Sequence, residues 1–115
     1  MIDFKGAVLE VVDALTGAGI KATAEAADVR FPGVWVGGVS ADQVTLGGEY
    51  EYTLDLYLVT KTTGELRSYA ELDTLAGEVA DVFPLADDLT LQVTSVSLPS
   101  APAAPAYRYP ITILR

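Results

Sequence analysis

The sequence predicts an α+β fold: a mainly antiparallel sheet with two helices packed on one face, in a single domain spanning residues 1–115. Three observations carry this expectation. Two stretches repeat apolar residues at helical period, one stretch between them alternates strictly, and two strand-like runs close the chain. The length fits one domain, since compact domains cluster near ~100–150 residues. No internal repeat interrupts it.

The first helix is expected over Asp3 to Thr16. Phe4, Val8, Val11, Val12 and Leu15 form one stripe at helical spacing, and Gly17 and Gly19 supply a stop. Residues 20–47 read as short strands and turns. Val34-Trp35-Val36 is a strand core, entered through Pro32-Gly33 and left through Gly37-Gly38. Gly47-Gly48 then precedes the clearest strand, Tyr50 to Thr60. Tyr50, Tyr52, Leu54, Leu56 and Leu58 face one way, and Glu51, Thr53, Asp55, Tyr57 and Val59 the other. The first set packs on a core; the second is wet or meets another protein.

Lys61-Thr62-Thr63-Gly64 turns the chain into the second helix, expected from Ser68 to Phe83. Ser68-Tyr69-Ala70-Glu71 fits a capping box, Leu72, Leu75, Ala76, Val79 and Phe83 form its stripe, and Pro84 ends it. Strands are expected near Leu89–Leu98 and Tyr107–Leu114. Leu89, Leu91 and Val93 share one parity and Val96 and Leu98 the other, which predicts a bulge near Thr94-Ser95. Residues 99–105, rich in Pro and Ala, read as a stiff exposed loop or arm.

Composition narrows the chemistry. The chain has no Cys and no His, which excludes disulfides, Ser-His-Asp and Cys-His catalysis, and the commonest zinc ligands. Its formal net charge of −9 repels nucleic acid over most of the surface. No apolar run approaches the ~20 residues needed to span a bilayer, and no signal-peptide core follows the N-terminus. The cytosol, or an assembly built there, is the expected setting.

The motifs that resemble catalytic or ligand sites have simpler readings. Gly17-Ala18-Gly19-Ile20-Lys21-Ala22 matches a dinucleotide loop by letter, but a helix precedes it and a strand follows, the reverse of what phosphate binding needs. Gly33 and Gly37-Gly38 lack the Lys-Ser/Thr of a phosphate loop. Glu49 and Glu51 would stand roughly 6.6 Å apart along a strand. That falls within glycosidase spacing, yet an open strand would not hold one of them protonated. Asp87-Asp88 reads as a polar turn rather than a calcium loop. Tyr107-Arg108-Tyr109 reads as sheet packing rather than base stacking. No catalytic, cofactor-binding or metal-binding residue is expected. The candidate interface residues are Trp35, Glu49, Glu51, Thr53, Asp55 and Tyr57; Trp35 fits either a core position or an interface anchor.

With these elements placed, the chain resembles the tail terminator proteins of long-tailed, siphovirus-type bacteriophages. The resemblance rests on the helix through Phe4–Leu15, the long strand Tyr50–Thr60, the helix Ser68–Phe83 and the two terminal strands, with length and charge in keeping. It implies a structural virion protein without enzymatic activity or cofactor. Such proteins form a ring, usually of six subunits, on the head-proximal end of the tail tube. The ring stops tube polymerisation and offers a docking surface to the head connector or stopper. The implied partners are further copies of the chain, the tail tube protein and the connector, with DNA only passing through the lumen and no membrane. The implied location is the virion tail, after assembly in the host cytoplasm. Carboxylates at Glu49, Glu51 and Asp55 lining the lumen would let DNA slide without sticking. A head–tail joining or stopper protein of the neck, or a small α+β binding module unrelated to phages, fits the same pattern.

Overall fold

A computed structural model describes the chain over residues 2–44, 46–61, 65–86, 89–99 and 101–115. Its elements are α1 (Phe4–Gly17), β1 (Ala22–Thr23), a 3-10 turn (Ala26–Asp28), β2 (Gly33–Gln43), β3 (Tyr50–Val59), α2 (Glu65–Val82), β4 (Gln92–Leu98) and β5 (Ala101–Leu114). The strands form one five-stranded sheet in the order β1-β2-β3-β5-β4. Every neighbouring pair is antiparallel except β1 with β2. One transverse row crosses all the strands: Thr23, Trp35, Tyr57, Arg108, Gln92. The fold is α+β, with both helices on one face.

The alternation of β3 sets this arrangement. Tyr52, Leu54, Leu56 and Leu58 are buried beneath the helices, against Val11 and Leu15 of α1 and Leu72, Leu75 and Val79 of α2. Val34 and Val36 of β2 and Tyr107, Tyr109 and Ile111 of β5 join them on that face. Full burial contributes about 1.5–3 kcal/mol for each such leucine. α1 starts at Phe4, the first residue of the stripe and one after the expected start, because Asp3 is its N-cap, with Oδ1 accepting from the Gly6 N–H at 2.9 Å. The cap is pinned to β3: the Asp3 N–H donates to the Tyr52 hydroxyl at 2.8 Å, and the Phe4 and Tyr52 rings meet edge-on at 5.4 Å. Of the two glycines expected to stop the helix, Gly17 is its last residue and Gly19 supplies the turn after it. Gly19 adopts φ 86°, the left-handed region that favours glycine, and β1 follows it.

Several expectations need correction. Gly37-Gly38 does not end β2, which continues to Gln43. A Cβ at Gly38 would lie 2.9 Å from the Phe4 ring, so that glycine serves a close helix–strand approach and not a turn. α2 begins at Glu65, and Ser68-Glu71 is no capping box: Ser68 is buried inside the helix, and Glu71 accepts from the Thr60 hydroxyl at 2.6 Å. A Ser and a Glu three apart also face one another inside any helix, so the pattern cannot separate a cap from an interior turn. The predicted turn at Thr62-Thr63-Gly64 lies outside the described residues, as does Asp87-Asp88. β4 starts at Gln92 rather than Leu89, and its register shift falls between Val96 and Leu98 rather than at Thr94-Ser95. The change in parity needs no bulge, because Leu91 packs on the helix side and Val96 on the opposite side.

The Pro/Ala stretch differs most. Residues 101–105 belong to β5 and pair with β4. Pro105 and Pro110 fit because β5 has strands on both sides only near 106–108. Tyr50 and Arg115 exchange both backbone hydrogen bonds, and alternation from that pair turns the Pro110 nitrogen away from β3, beyond the end of β4. Pro105, opposite Ser95, turns its nitrogen away from β4, just before pairing with β3 begins. Neither Pro105 nor Pro110 costs the ladder a hydrogen bond.

Two phenols tie β5 to α2 and the residue that follows it. The Tyr107 hydroxyl donates to Asp73 Oδ1 at 2.5 Å, and the Tyr109 hydroxyl donates to the Phe83 carbonyl at 2.6 Å. Burial, then the hydrogen bond and negative charge of Asp73, push the Tyr107 phenol from 10.0 up to about 12; burial also raises that of Tyr109. Below pH 10 the phenol is protonated in folded and unfolded chains alike, and its stabilisation is complete. Between pH 10 and about 12 the unfolded chain ionises first, so stability falls across that window. Denaturant midpoints measured against pH will decline there, and Tyr107→Phe will flatten the decline; an unchanged slope in the variant would contradict the assignment.

Candidate functional site

The face of the sheet turned away from the helices carries most of the candidate residues. Trp35 of β2 and Glu51, Thr53, Asp55 and Tyr57 of β3 share it by register, together with Ser40, Asp42, Arg108, Thr112 and Leu114. Glu49 does not belong to this array. It precedes β3, and its carbonyl accepts from the Val44 N–H at 3.1 Å where the chain passes from β2 to β3. The strand spacing assumed for Glu49 and Glu51 therefore does not apply.

The face grades from apolar to acidic. At one end the segment between β1 and β2 folds over it, bringing Val29 onto Val59 and Ala106, with Phe31, Trp35 and Val96 packed around them. Trp35 is half-buried here, neither in the main core nor fully exposed. Its Nε1 donates to the Ala24 carbonyl at 3.2 Å, and its ring lies 5.3 Å from that of Tyr57 at 31°. This fixes both rings in place with part of their surface open. The middle of the face is polar, with Thr53 between Ser40 and Thr112. At the far end Glu51 stands opposite Asp42, a like-charge pair that favours a positively charged or hydrogen-bond-donating visitor.

Asp55 departs from the expectation of a wet strand face. It is 7% exposed, and Arg108 from β5 lies over it, with Nε 3.1 Å from Oδ2. The Nε–H is not aimed at that oxygen, so this is an ion pair held by proximity rather than an aligned hydrogen bond. Asp55 is thus engaged within the subunit, which removes it from the set of carboxylates that could line a lumen. Arg108 was not singled out as an interface residue from the sequence. The available signal was the parity of Tyr107-Arg108-Tyr109: both tyrosines enter the helix-side core, which commits the arginine to the opposite face.

Among the described residues no group of three or more carboxylates is placed to hold a metal ion, and no helix is long and apolar enough to cross a membrane. The arrangement offers recognition: two fixed rings, a band of hydroxyls, a charge pair and an acidic end. In comparisons with known proteins, no family model, curated protein or solved structure matches the chain.

The Asp55–Arg108 pair supports a quantitative expectation. Arg108 is half-exposed and Asp55 nearly buried, so Arg108→Met will destabilise the protein by about 2 kcal/mol, between the values for exposed and buried pairs. In an Asp55→Asn background the same change will cost much less. A double-mutant cycle by urea denaturation measures the difference, and simple additivity would contradict the pairing.

Proposed function

We propose that the chain is a structural subunit of a virus particle, the terminator of a long bacteriophage tail. It assembles as a ring on the head-proximal end of the tail tube, stops tube growth and presents a surface to the head connector. The observation that carries this reading is the division of the sheet. The helices and the leucines of β3 build the core on one side. The other side displays an ordered surface grading from Trp35 and Tyr57 through hydroxyls to Asp42 and Glu51. A ring subunit needs such asymmetry, because head-to-tail contacts use different patches on each copy. The element order that the resemblance rests on supports the same reading: a first helix, a long central strand, a second helix and two closing strands.

The acidic end suits a DNA passage. Asp42 and Glu51 would face phosphates without binding them, since affinity for DNA comes from cationic neutralisation of its backbone. Asp55, neutralised by Arg108, takes no part in this.

Tail-tube subunits polymerised with and without this protein test the proposal. Tubes that stop growing and carry a ring at one end in electron micrographs are expected; uninterrupted growth would overturn it. Trp35→Ala will weaken capping by about tenfold, as loss of one aromatic anchor does, while leaving the far-ultraviolet circular dichroism of the subunit unchanged.

A further inference from the structure

The long outer edges of the sheet are open at diagonally opposite ends. β1 covers β2 as far as the Val36 N–H, which the parallel Thr23–Trp35 bridge engages, so from Gly37 to Asp42 that edge has no neighbouring strand among the described residues. On the far side, β4 pairs with β5 along one flank and with no described strand along the other. Alternation from the doubly bonded Tyr50–Arg115 pair turns the Val36 carbonyl and both backbone groups of Gly38 toward the open edge of β2, and the backbone groups of Val93 and Ser95 outward from β4. The Val34 N–H, bonded to the Lys21 carbonyl at 2.8 Å, has the same outward sense.

These edges are also the uncharged parts of an acidic chain. No Asp, Glu, Lys or Arg occurs from Phe31 to Ala41 or from Leu89 to Tyr107, in a protein of net charge −9. Soluble proteins protect open edges with charges or prolines, and neither occurs in β2 as far as Ala41 or anywhere in β4. Instead, Val39 is 56% exposed on one edge and Val93 61% exposed on the other. Beside the first, Phe4, Val8 and Leu9 of α1 wall a groove of about 590 Å³ that runs along Val36–Val39, with Lys5 and Glu25, of opposite charge, also on its lining.

We infer that the open edge of β2 receives β4 of a second copy, antiparallel, so that the sheet continues from subunit to subunit. The polarity follows from the topology: repeating the sheet sets β4 of the next copy antiparallel to β2. The charge distribution selects a second copy, because two molecules that repel each other over most of their surfaces approach most easily along their uncharged edges.

The offset agrees as well. Gln92 lies level with Trp35, where β1 already occupies the edge, so the incoming β4 slides along β2 by nearly its full length of 7 residues. That is roughly 20 Å against the roughly 19 Å of the strand columns β2, β3, β5 and β4 that each copy adds, a tilt of ~45°, the stagger that closing a sheet requires. Such a contact is heterologous and propagates into a ring or a filament. Closure into a ring rests on the tail-terminator reading; the edge pairing stands or falls separately.

The chain has no cysteine, which makes crosslinking clean. Equimolar Val39→Cys and Val93→Cys variants are treated with a short bis-maleimide, with Leu66→Cys, 83% exposed on α2, replacing Val39→Cys in the control. The ratio of heterodimer to homodimers is expected to rise about tenfold above the control, as a preformed contact raises effective concentration. Adding Ser95→Glu to the Val93→Cys chain will return it to the control value, with circular dichroism verifying that each variant folds. A ratio equal to the control, or enrichment of either homodimer, overturns the pairing. Tubes capped by rings with a control-level ratio would sink the edge pairing and leave the tail reading. Heterodimer enrichment without tube capping would do the reverse.

Discussion

The strict alternation of β3 is the constraint on which the rest of the structure depends. It places Leu54, Leu56 and Leu58 on one face, and both helices must cover them to form the main core. It places Glu51, Thr53, Asp55 and Tyr57 on the other, where β2 and β5 set Trp35 and Arg108 beside them. A shift of one residue would exchange the two faces and bury a row of polar groups in place of leucines. The register is pinned further by the Tyr52 hydroxyl at the α1 cap and by the Asp55–Arg108 ion pair on the opposite side. Both faces of one strand therefore report on the same register.

The sequence shows elements whose signal is periodic and loses those decided by contacts between distant segments. The α1 stripe, the faces of β3 and the α2 stripe were all legible, because burial leaves a repeat. Gly37-Gly38 was misread, since a glycine at a turn and a glycine beneath the Phe4 ring look alike in one dimension. Pro102 and Pro105, read as part of a loop, were misread for a related reason, whereas Pro110 fell within the strand expected there. Proline is excluded from a strand with neighbours on both sides, and it was not visible that β3 and β4 overlap along β5 for so few residues. Of the candidate surface, Trp35, Glu51, Thr53 and Tyr57 fall together as parity requires, whereas Glu49 leaves the strand. Asp55 is claimed by an arginine that stands far away in sequence.

The functional reading follows from what this division leaves over. The fold consumes one face of the sheet, and a short segment between β1 and β2 covers one end of the other. Aromatic rings, hydroxyls and carboxylates remain on display, along with two sheet edges that carry no charge in a chain of net −9. A solitary protein has reason to guard such edges. A subunit that must join its own copies, and must not hold the DNA passing near it, has reason to keep its edges neutral and its remaining surface acidic.

The central claim is that the helix-side face of β3 stabilises the subunit while the outer edge of β2 is reserved for association. Amide hydrogen exchange, compared between dilute and assembled protein, tests it most directly. The amides of Leu54, Leu56 and Leu58 should exchange only through global unfolding in both states. That of Gly38, on the edge beyond β1, should exchange rapidly in dilute protein and become protected on assembly. Protection of Gly38 already in the dilute protein, or continued rapid exchange after assembly, would contradict the account.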